Sequence, residues 1–220
     1  MDTALTKLQS WLGELDDLGE TFQERFLKGR IDDLEGMEAL LEQAADARYE
    51  LERVRQALLL EKRLAELTDE KISTMSKEAE EIMTGEHTRE RYHCSEAFVK
   101  IVGSYLFNGF GDEAQRMTTG LAGGVGGTHE EMCGALVGGV MCIGAMFGRA
   151  RPTENDVPAY KVSAQYRNAF IEQMGGAKCH ELRELGYGSG GLAPCGVLVG
   201  RAIPVFFNAI CSRSDLFEEE

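Results

Sequence analysis

The stretch Gly134–Phe147, GALVGGVMCIGAMF, is fourteen residues long and carries no charged side chain. A helix needs about 20 apolar residues to span a bilayer, so we interpret this stretch as a buried helix and expect no membrane span. Four of its residues are glycines, and each costs up to ~1 kcal/mol in a helix interior relative to alanine. We therefore expect a compensating close approach of another helix or of a cofactor.

Further helices are predicted on both sides of this stretch. Apolar spacing and glycine-rich turns indicate helices over about 90–107, 112–122, 129–149, 156–174, 179–185 and 195–212. Pro204 lies inside the last of them and is expected to kink or split it. Because no stretch shows the sustained alternation of a strand, the predicted fold class is all-α, with a glycine-rich helical bundle domain.

The first part of the chain follows a different pattern. Leucines from Leu5 to Leu18 recur every three or four residues, which is typical of an amphipathic helix. From Leu34 the pattern becomes heptad-like and predicts a helix over about 33–68, followed by another over 69–84. We predict a coiled-coil-like antiparallel hairpin that turns near Gly29 and Arg30. Its expected role is interaction or dimerisation, so a homodimer is a predicted partner state.

Composition divides the chain near residues 85–88. Residues 1–90 hold 23 acidic and 12 basic residues, so they carry −11 of the net charge of −14, while all six cysteines and all four prolines follow. We predict an acidic hairpin over 1–86 and a cysteine-bearing domain over 87–220. The negative charge argues against a nucleic-acid partner. The start of the sequence lacks the pattern of a signal peptide, which predicts a cytoplasmic protein.

The cysteines separate into two sets by helix geometry. Cys133 and Cys142 are nine residues apart in one predicted helix, which places them on opposite faces. Cys195 and Cys211 are about 24 Å apart along another. Only one member of each pair can therefore serve a common site. Cys142 and Cys211 have apolar neighbours, and we expect them to pack as small apolar residues.

The other four cysteines lie near predicted helix starts. Cys94, Cys179 and Cys195 fall in or near a first turn, where the helix dipole favours the thiolate form. Cys133 follows Glu130 and Glu131, which suit the opening turn of its predicted helix. Cys94, Cys133, Cys179 and Cys195 are thus the candidate functional set. The alternative is that all six cysteines are unrelated buried thiols.

Two further motifs bear on chemistry. His129 precedes Cys133 by one predicted helical turn, a pair that would suit zinc, although no second ligand pair accompanies it. The segment 120–128, GLAGGVGGT, is rich in glycine but lacks the Gly-Lys-Ser/Thr and the preceding strand of a phosphate loop. We interpret it as a tight turn between packed helices.

Residues 90 to about 205 resemble the redox-active family named for its C…GCAxxG…C…C pattern, which is similar to the cysteine-bearing part of split-Soret cytochromes c. The matching motifs are HCSEAF, LAGGVGG, MCGALVG with Cys133 and Gly134, KCHELRE and APCG. The resemblance implies an α-helical, dimeric redox domain whose four cysteines form a cofactor or thiol site. The chain departs from the split-Soret type in having no haem attachment motif.

These observations favour an electron-transfer or redox-sensing protein. Cys94, Cys133, Cys179 and Cys195 would bind an iron–sulfur cluster, most simply [2Fe-2S], and the glycines, Gly134 among them, would let backbone approach it. One alternative is metal-free dithiol–disulfide chemistry pairing Cys133 with Cys94 and Cys179 with Cys195. Another is a helical scaffold with structural cysteines. A redox partner protein is expected, and no acid–base or nucleophilic constellation identifies an enzyme.

Overall fold

The fold is described from a computed structural model of the chain. The structure describes residues 34–85, 91–188, 191 and 193–211, and seven positions before residue 34, all of them helical. Of residues 34–38 and 40 it describes the backbone alone. The predicted turn of the hairpin at Gly29 and Arg30 lies outside these residues.

Eight helices and no strands occur in the described ranges, so the all-α prediction is confirmed. The helices are α1 (Leu34–Ala65), α2 (Asp69–Thr84), α3 (Cys94–Phe107), α4 (Asp112–Thr119), α5 (Gly134–Phe147), α6 (Val157–Met174), α7 (Cys179–Glu184) and α8 (Cys195–Cys211). In that same part of the chain, none of the helices has the length and apolar character needed to traverse a bilayer.

By its contacts the chain divides into two units, residues 1–61 and 62–220. The boundary falls inside α1, and α2 belongs to the second unit together with the cysteine-bearing helices. The division at residues 86 and 87 that composition indicates stays a prediction about domains.

The ends of α2 explain why this segment is a separate helix. Thr68 caps its start, where the hydroxyl oxygen accepts a hydrogen bond from the Lys71 amide at 3.3 Å. Gly85 ends it in the left-handed conformation at φ 70°, which glycine adopts without steric cost. Along its length α2 packs against α8, where Gly200 lies close to the Ser76 carbonyl and the Glu80 side chain.

A cluster of aromatic rings forms the centre of the bundle. Phe206 of α8 lies edge-on to Phe98 of α3 and to Tyr166 of α6, with ring centroids 5.6 Å apart in both pairs. All three side chains are fully buried. This cluster holds α3, α6 and α8 together and so fixes the positions at which their ends present functional groups.

The glycines of α5 permit the close helix packing that the sequence predicts. A Cβ atom at Gly138 would lie 3.1 Å from Phe98 Cβ of α3, and one at Gly139 would overlap the Tyr166 ring of α6. A larger residue at either position would push a neighbouring helix away. Gly144, by contrast, has nothing within 4 Å of such an atom.

Two details of the helices differ from the prediction. The α5 helix begins at Gly134 rather than near residue 129, because the backbone before it is an irregular glycine turn and an isolated bridge. Glu130 and Glu131 therefore precede the helix instead of forming its first turn. Pro204 does not split α8, which continues as one helix to Cys211.

Candidate redox site

Each cysteine of the candidate set lies at the amino-terminal end of a different helix. Cys94, Cys179 and Cys195 are the first residues of α3, α7 and α8, as the sequence predicts. Cys133 is the residue that precedes the first turn of α5. Four sequence-distant helix starts thus each supply one sulfur atom.

An antiparallel bridge ties the starts of α5 and α7 together. Met132 and Lys178 form the bridge, and two short hydrogen bonds flank it. The Cys133 amide donates to the Ala177 carbonyl at 2.8 Å, and the Cys179 amide donates to the Glu131 carbonyl at 2.7 Å. Because the backbones of both cysteines take part, the bridge fixes the two residues side by side.

A second bridge positions the start of α8. Tyr187 pairs with Ala193, and the Gly188 amide donates to the Ala193 carbonyl at 2.8 Å. This pairing brings Gly188 close to the start of α8. A Cβ atom at Gly188 would lie 3.3 Å from the Cys195 sulfur and 3.0 Å from the Arg183 guanidinium. Cys195 and the cation of Arg183 therefore share one small region.

The start of α3 meets the start of α5 directly. A Cβ atom at Gly134 would overlap the Cys94 sulfur and lie 3.0 Å from the Ser95 amide. Ser95 is itself buried, and its hydroxyl donates to the Thr118 carbonyl at 2.8 Å. That buried hydrogen bond fixes the first turn of α3 and with it the position of Cys94. The Cys94 sulfur lies against the backbone of Gly134, and a side chain at position 134 would leave no room for it.

The thiols of the candidate set influence one another electrostatically. The pKa of Cys133 is raised to about 12, chiefly by burial and also by the charges of Cys94 and Cys179, while two amide hydrogen bonds from the first turn of α5 oppose the rise. Burial also raises the pKa of Cys179 and of Cys195, and in both the charge of Cys94 adds to the rise. Cys94 thus acts on each of the other three.

These directions correct the expectation that helix starts favour the thiolate at Cys179 and Cys195. Desolvation is the largest influence on both thiols, and mutual repulsion between the sulfurs adds to it. Arg183 opposes the rise at both positions without reversing it. In the metal-free protein, Cys179 and Cys195 are therefore protonated thiols at neutral pH.

The two remaining cysteines lie elsewhere. Cys142 is fully buried in α5, and burial alone raises its pKa, which agrees with a packing role. Cys211 is exposed, which contradicts the expectation that it packs as a buried apolar residue. The reason is its position as the last residue of α8, where the helix leaves the core. No disulfide joins any of the six cysteines, all of which are described.

The predicted His129–Cys133 pair on one helix face is wrong, because residue 129 lies in the turn before α5. His129 has a left-handed backbone, and its Nδ1 atom lies 3.6 Å from the Cys179 sulfur instead. His180 Nδ1 lies 2.9 Å from the Glu130 carbonyl oxygen. The helical spacing of apolar residues could not predict the His129–Cys179 pair, because the pair depends on an irregular turn.

A single metal ion needs three or more ligand side chains grouped around one point. In the described ranges, no three or more His, Cys, Asp or Glu side chains are grouped as such an ion requires. The donor set itself, four thiols presented by helix starts, has the composition that iron–sulfur clusters use.

Comparison with known proteins places the chain in a family. Residues 92–207 match the model of the family described as "Putative redox-active protein (C_GCAxxG_C_C)". The chain belongs to this family, as its cysteine pattern predicts. The match begins just before Cys94 and ends within α8, so it includes all four candidate cysteines. No curated protein and no solved structure matches the chain significantly.

Proposed function

We propose that the chain is an electron-transfer or redox-sensing protein whose Cys94, Cys133, Cys179 and Cys195 thiolates bind an iron–sulfur cluster. The observation that carries the proposal is that helix starts from distant parts of the chain bring cysteines together. Gly134, the neighbour of Cys133, lies against the Cys94 sulfur, and backbone hydrogen bonds fix Cys133 and Cys179 side by side. The charges of Cys94 and Cys179 also act on Cys195. Four thiols from distant positions that share one region are the ligand set of a [2Fe-2S] cluster. The cluster, when bound, would accept and release one electron.

The fit of this donor set rests on its chemistry. A single tetrahedral ion needs its ligands close together, whereas a cluster spreads its thiolates over more than one iron atom. Thiolates are the ligands that iron–sulfur clusters use, and each of the four candidate thiols comes from a separate helix start.

The residues of the chain itself supply the surroundings of the sulfurs. The amides of Ala135 and Leu136 bond to the Cys133 sulfur and offset its negative charge. Arg183 does the same through its charge at Cys179 and Cys195. Gly134 leaves the Cys94 sulfur in contact with backbone rather than with a side chain. Together they stabilise added negative charge, which raises the reduction potential of the centre.

The test is iron and sulfide analysis of the full chain after anaerobic purification, with two cysteine variants compared. The protein should contain iron and inorganic sulfide and absorb in the visible range. Cys133→Ala should abolish both, and Cys142→Ala, which removes a buried thiol of the same helix outside the set, should retain them. Absence of iron from the purified protein, or equal iron in the two variants, would contradict the proposal.

A second candidate function is metal-free dithiol–disulfide exchange. It is favoured by the electrostatic influence of Cys94 on Cys133 and of both Cys94 and Cys179 on Cys195, which includes the two predicted pairs. Thiol counting after mild oxidation of the metal-free protein separates the candidates. Loss of four thiols as two intramolecular bridges supports exchange, and an unchanged count rejects it.

The predicted homodimer, the redox partner protein and the cytoplasmic location remain proposals beside this one. The acidic first part of the chain supports an association role, because its heptad pattern offers an apolar stripe for a second helix. Sedimentation equilibrium of the full chain distinguishes a dimer from a monomer directly.

A further inference from the structure

We infer that His129 is a positioning residue of the cysteine centre, which holds the Cys179 sulfur through a ring N–H···S hydrogen bond. The Nδ1 atom of His129 lies 3.6 Å from the Cys179 sulfur, within reach of a hydrogen bond to sulfur. The two residues are fifty positions apart in sequence. This inference rests on the proposed function, in which Cys179 is one of the four redox sulfurs.

The turn before α5 is built to hold this imidazole. His129 has φ 65°, a left-handed conformation that is uncommon for a residue with a side chain. Its amide donates to the Gly123 carbonyl at 2.8 Å, and the neighbouring Thr128 hydroxyl donates to the Gly124 carbonyl at 2.6 Å. Such conformations persist where surrounding contacts enforce them, and they concentrate at functional sites.

Because Gly124 has no side chain, the turn can approach Cys179 closely. A Cβ atom at Gly124 would lie 2.8 Å from Cys179 Cβ and 3.0 Å from the His129 carbonyl carbon. Gly126 has nearly the same backbone conformation, at φ 65° against 68°, but nothing lies within 4 Å of its Cβ position. Two glycines of one turn thus share a left-handed backbone conformation, in which any other residue would be strained, and differ in their contact with the site.

The chemical consequence follows from the charge on the sulfur. An N–H donor stabilises a thiolate, or a sulfur bound to a cluster, most strongly when the centre has gained an electron. Removing the donor therefore disfavours the reduced state and lowers the reduction potential. We expect the equilibrium constant for reduction to fall roughly tenfold when the donor is removed, which is ~59 mV for a one-electron couple.

The first test observes the hydrogen bond without any cofactor. Ring ¹⁵N resonances of the histidines are recorded by NMR in the full chain, reduced and metal-free. Cys179→Ala should move the Nδ1 resonance of His129 and leave those of His93 unchanged. An unmoved His129 resonance would overturn the inference, whether or not the protein binds iron.

The second test measures the reduction potential of the centre. His129→Asn removes the imidazole while retaining a residue that tolerates left-handed backbone, and it should lower the potential as stated. Gly124→Ala should lower it too, whereas Gly126→Ala, with the same strain and no clash, should not. Equal potentials in the wild-type and His129→Asn proteins would refute the inference. Iron analysis of the same samples reports separately on the proposed function, and without iron the thiol–disulfide potential is measured instead.

Discussion

The backbone of Gly134 lies directly against the Cys94 sulfur, so that a Cβ atom at position 134 would overlap it. This contact joins the first residue of α5 to the first residue of α3. The geometry of the site therefore requires glycine at position 134, because even the methyl group of alanine would overlap the Cys94 sulfur.

Gly134→Ala should therefore displace the Cys94 sulfur from the centre. The added methyl group overlaps a side chain at an anchored helix start, and overpacking of this kind costs about 1–3 kcal/mol. We expect the variant to fold and to lose most of its bound iron, as measured on the anaerobically purified protein. Gly144→Ala in the same helix is the control, since nothing lies near its Cβ position. Equal iron in both variants would show that the Gly134 contact does not shape the site.

Gly139→Ala should destabilise the bundle without touching the cysteines. Its Cβ atom would lie 2.6–2.7 Å from the ring carbon Cζ and the hydroxyl oxygen of Tyr166, a fully buried side chain whose hydroxyl donates to the Ala135 carbonyl at 3.2 Å. We expect a loss of about 1–3 kcal/mol in the free energy of unfolding.

The matched variant for this measurement is again Gly144→Ala. With no steric conflict, alanine should gain up to ~1 kcal/mol from helix propensity. Urea unfolding of both variants gives the comparison. Stability changes of the same sign would mean that helix propensity, and not the contact with Tyr166, decides the outcome at position 139.

Glu181 should stabilise the start of α7 in a pH-dependent way. Its carboxylate accepts hydrogen bonds from the Lys178 and Ala177 amides, both at 3.0 Å, and these bonds lower its pKa below the ordinary value. A lowered folded-state pKa means that the stabilisation is complete above the unfolded pKa and is lost as pH falls through the folded one. Hydrogen exchange of the two amides should therefore be slow at neutral pH and faster in Glu181→Gln.

The difference in protection between the wild-type protein and Glu181→Gln should shrink under acid conditions, as the wild-type carboxyl becomes protonated. Comparison of local protection factors, rather than raw exchange rates, removes the intrinsic pH dependence of exchange. A protection difference that stays constant with pH would contradict a charged cap at this helix start.

Cys142 should resist alkylation in the folded protein. Its side chain is fully buried, so the reagent cannot reach the sulfur. Burial also raises the pKa of Cys142, so little of the reactive thiolate forms. Iodoacetamide followed by peptide mass spectrometry should modify Cys211, which is exposed, and should reach Cys142 only after denaturant is added. Rapid labelling of Cys142 under native conditions would show that α5 opens locally.

Much of the fold follows from local sequence patterns. Thr68 and Gly85 cap the start and the end of α2, so local sequence determines both ends of this helix. The predicted span of α6 agrees with the structure within one residue. The glycines of α5 were expected to serve close packing, and Gly138 and Gly139 do so against α3 and α6. Helix period and turn chemistry determine such features, and both can be seen within a short window of sequence.

The candidate site depends on features that such a window does not contain. The bridge between Met132 and Lys178 joins segments forty-six residues apart and has no periodic signature. The pairing of His129 with Cys179 depends on a left-handed turn, for which a helix was predicted. The raised pKa values of Cys179 and Cys195 follow from burial among other sulfurs, a tertiary effect that outweighs the helix start seen in the sequence.

The most direct test of the four-cysteine centre is X-ray absorption at the iron edge of the anaerobically purified full chain. The account predicts a first shell of sulfur atoms alone around iron, with an iron–iron distance in the second shell, and loss of both signals in Cys133→Ala. Iron bound through nitrogen or oxygen only, or no iron at all, would contradict it.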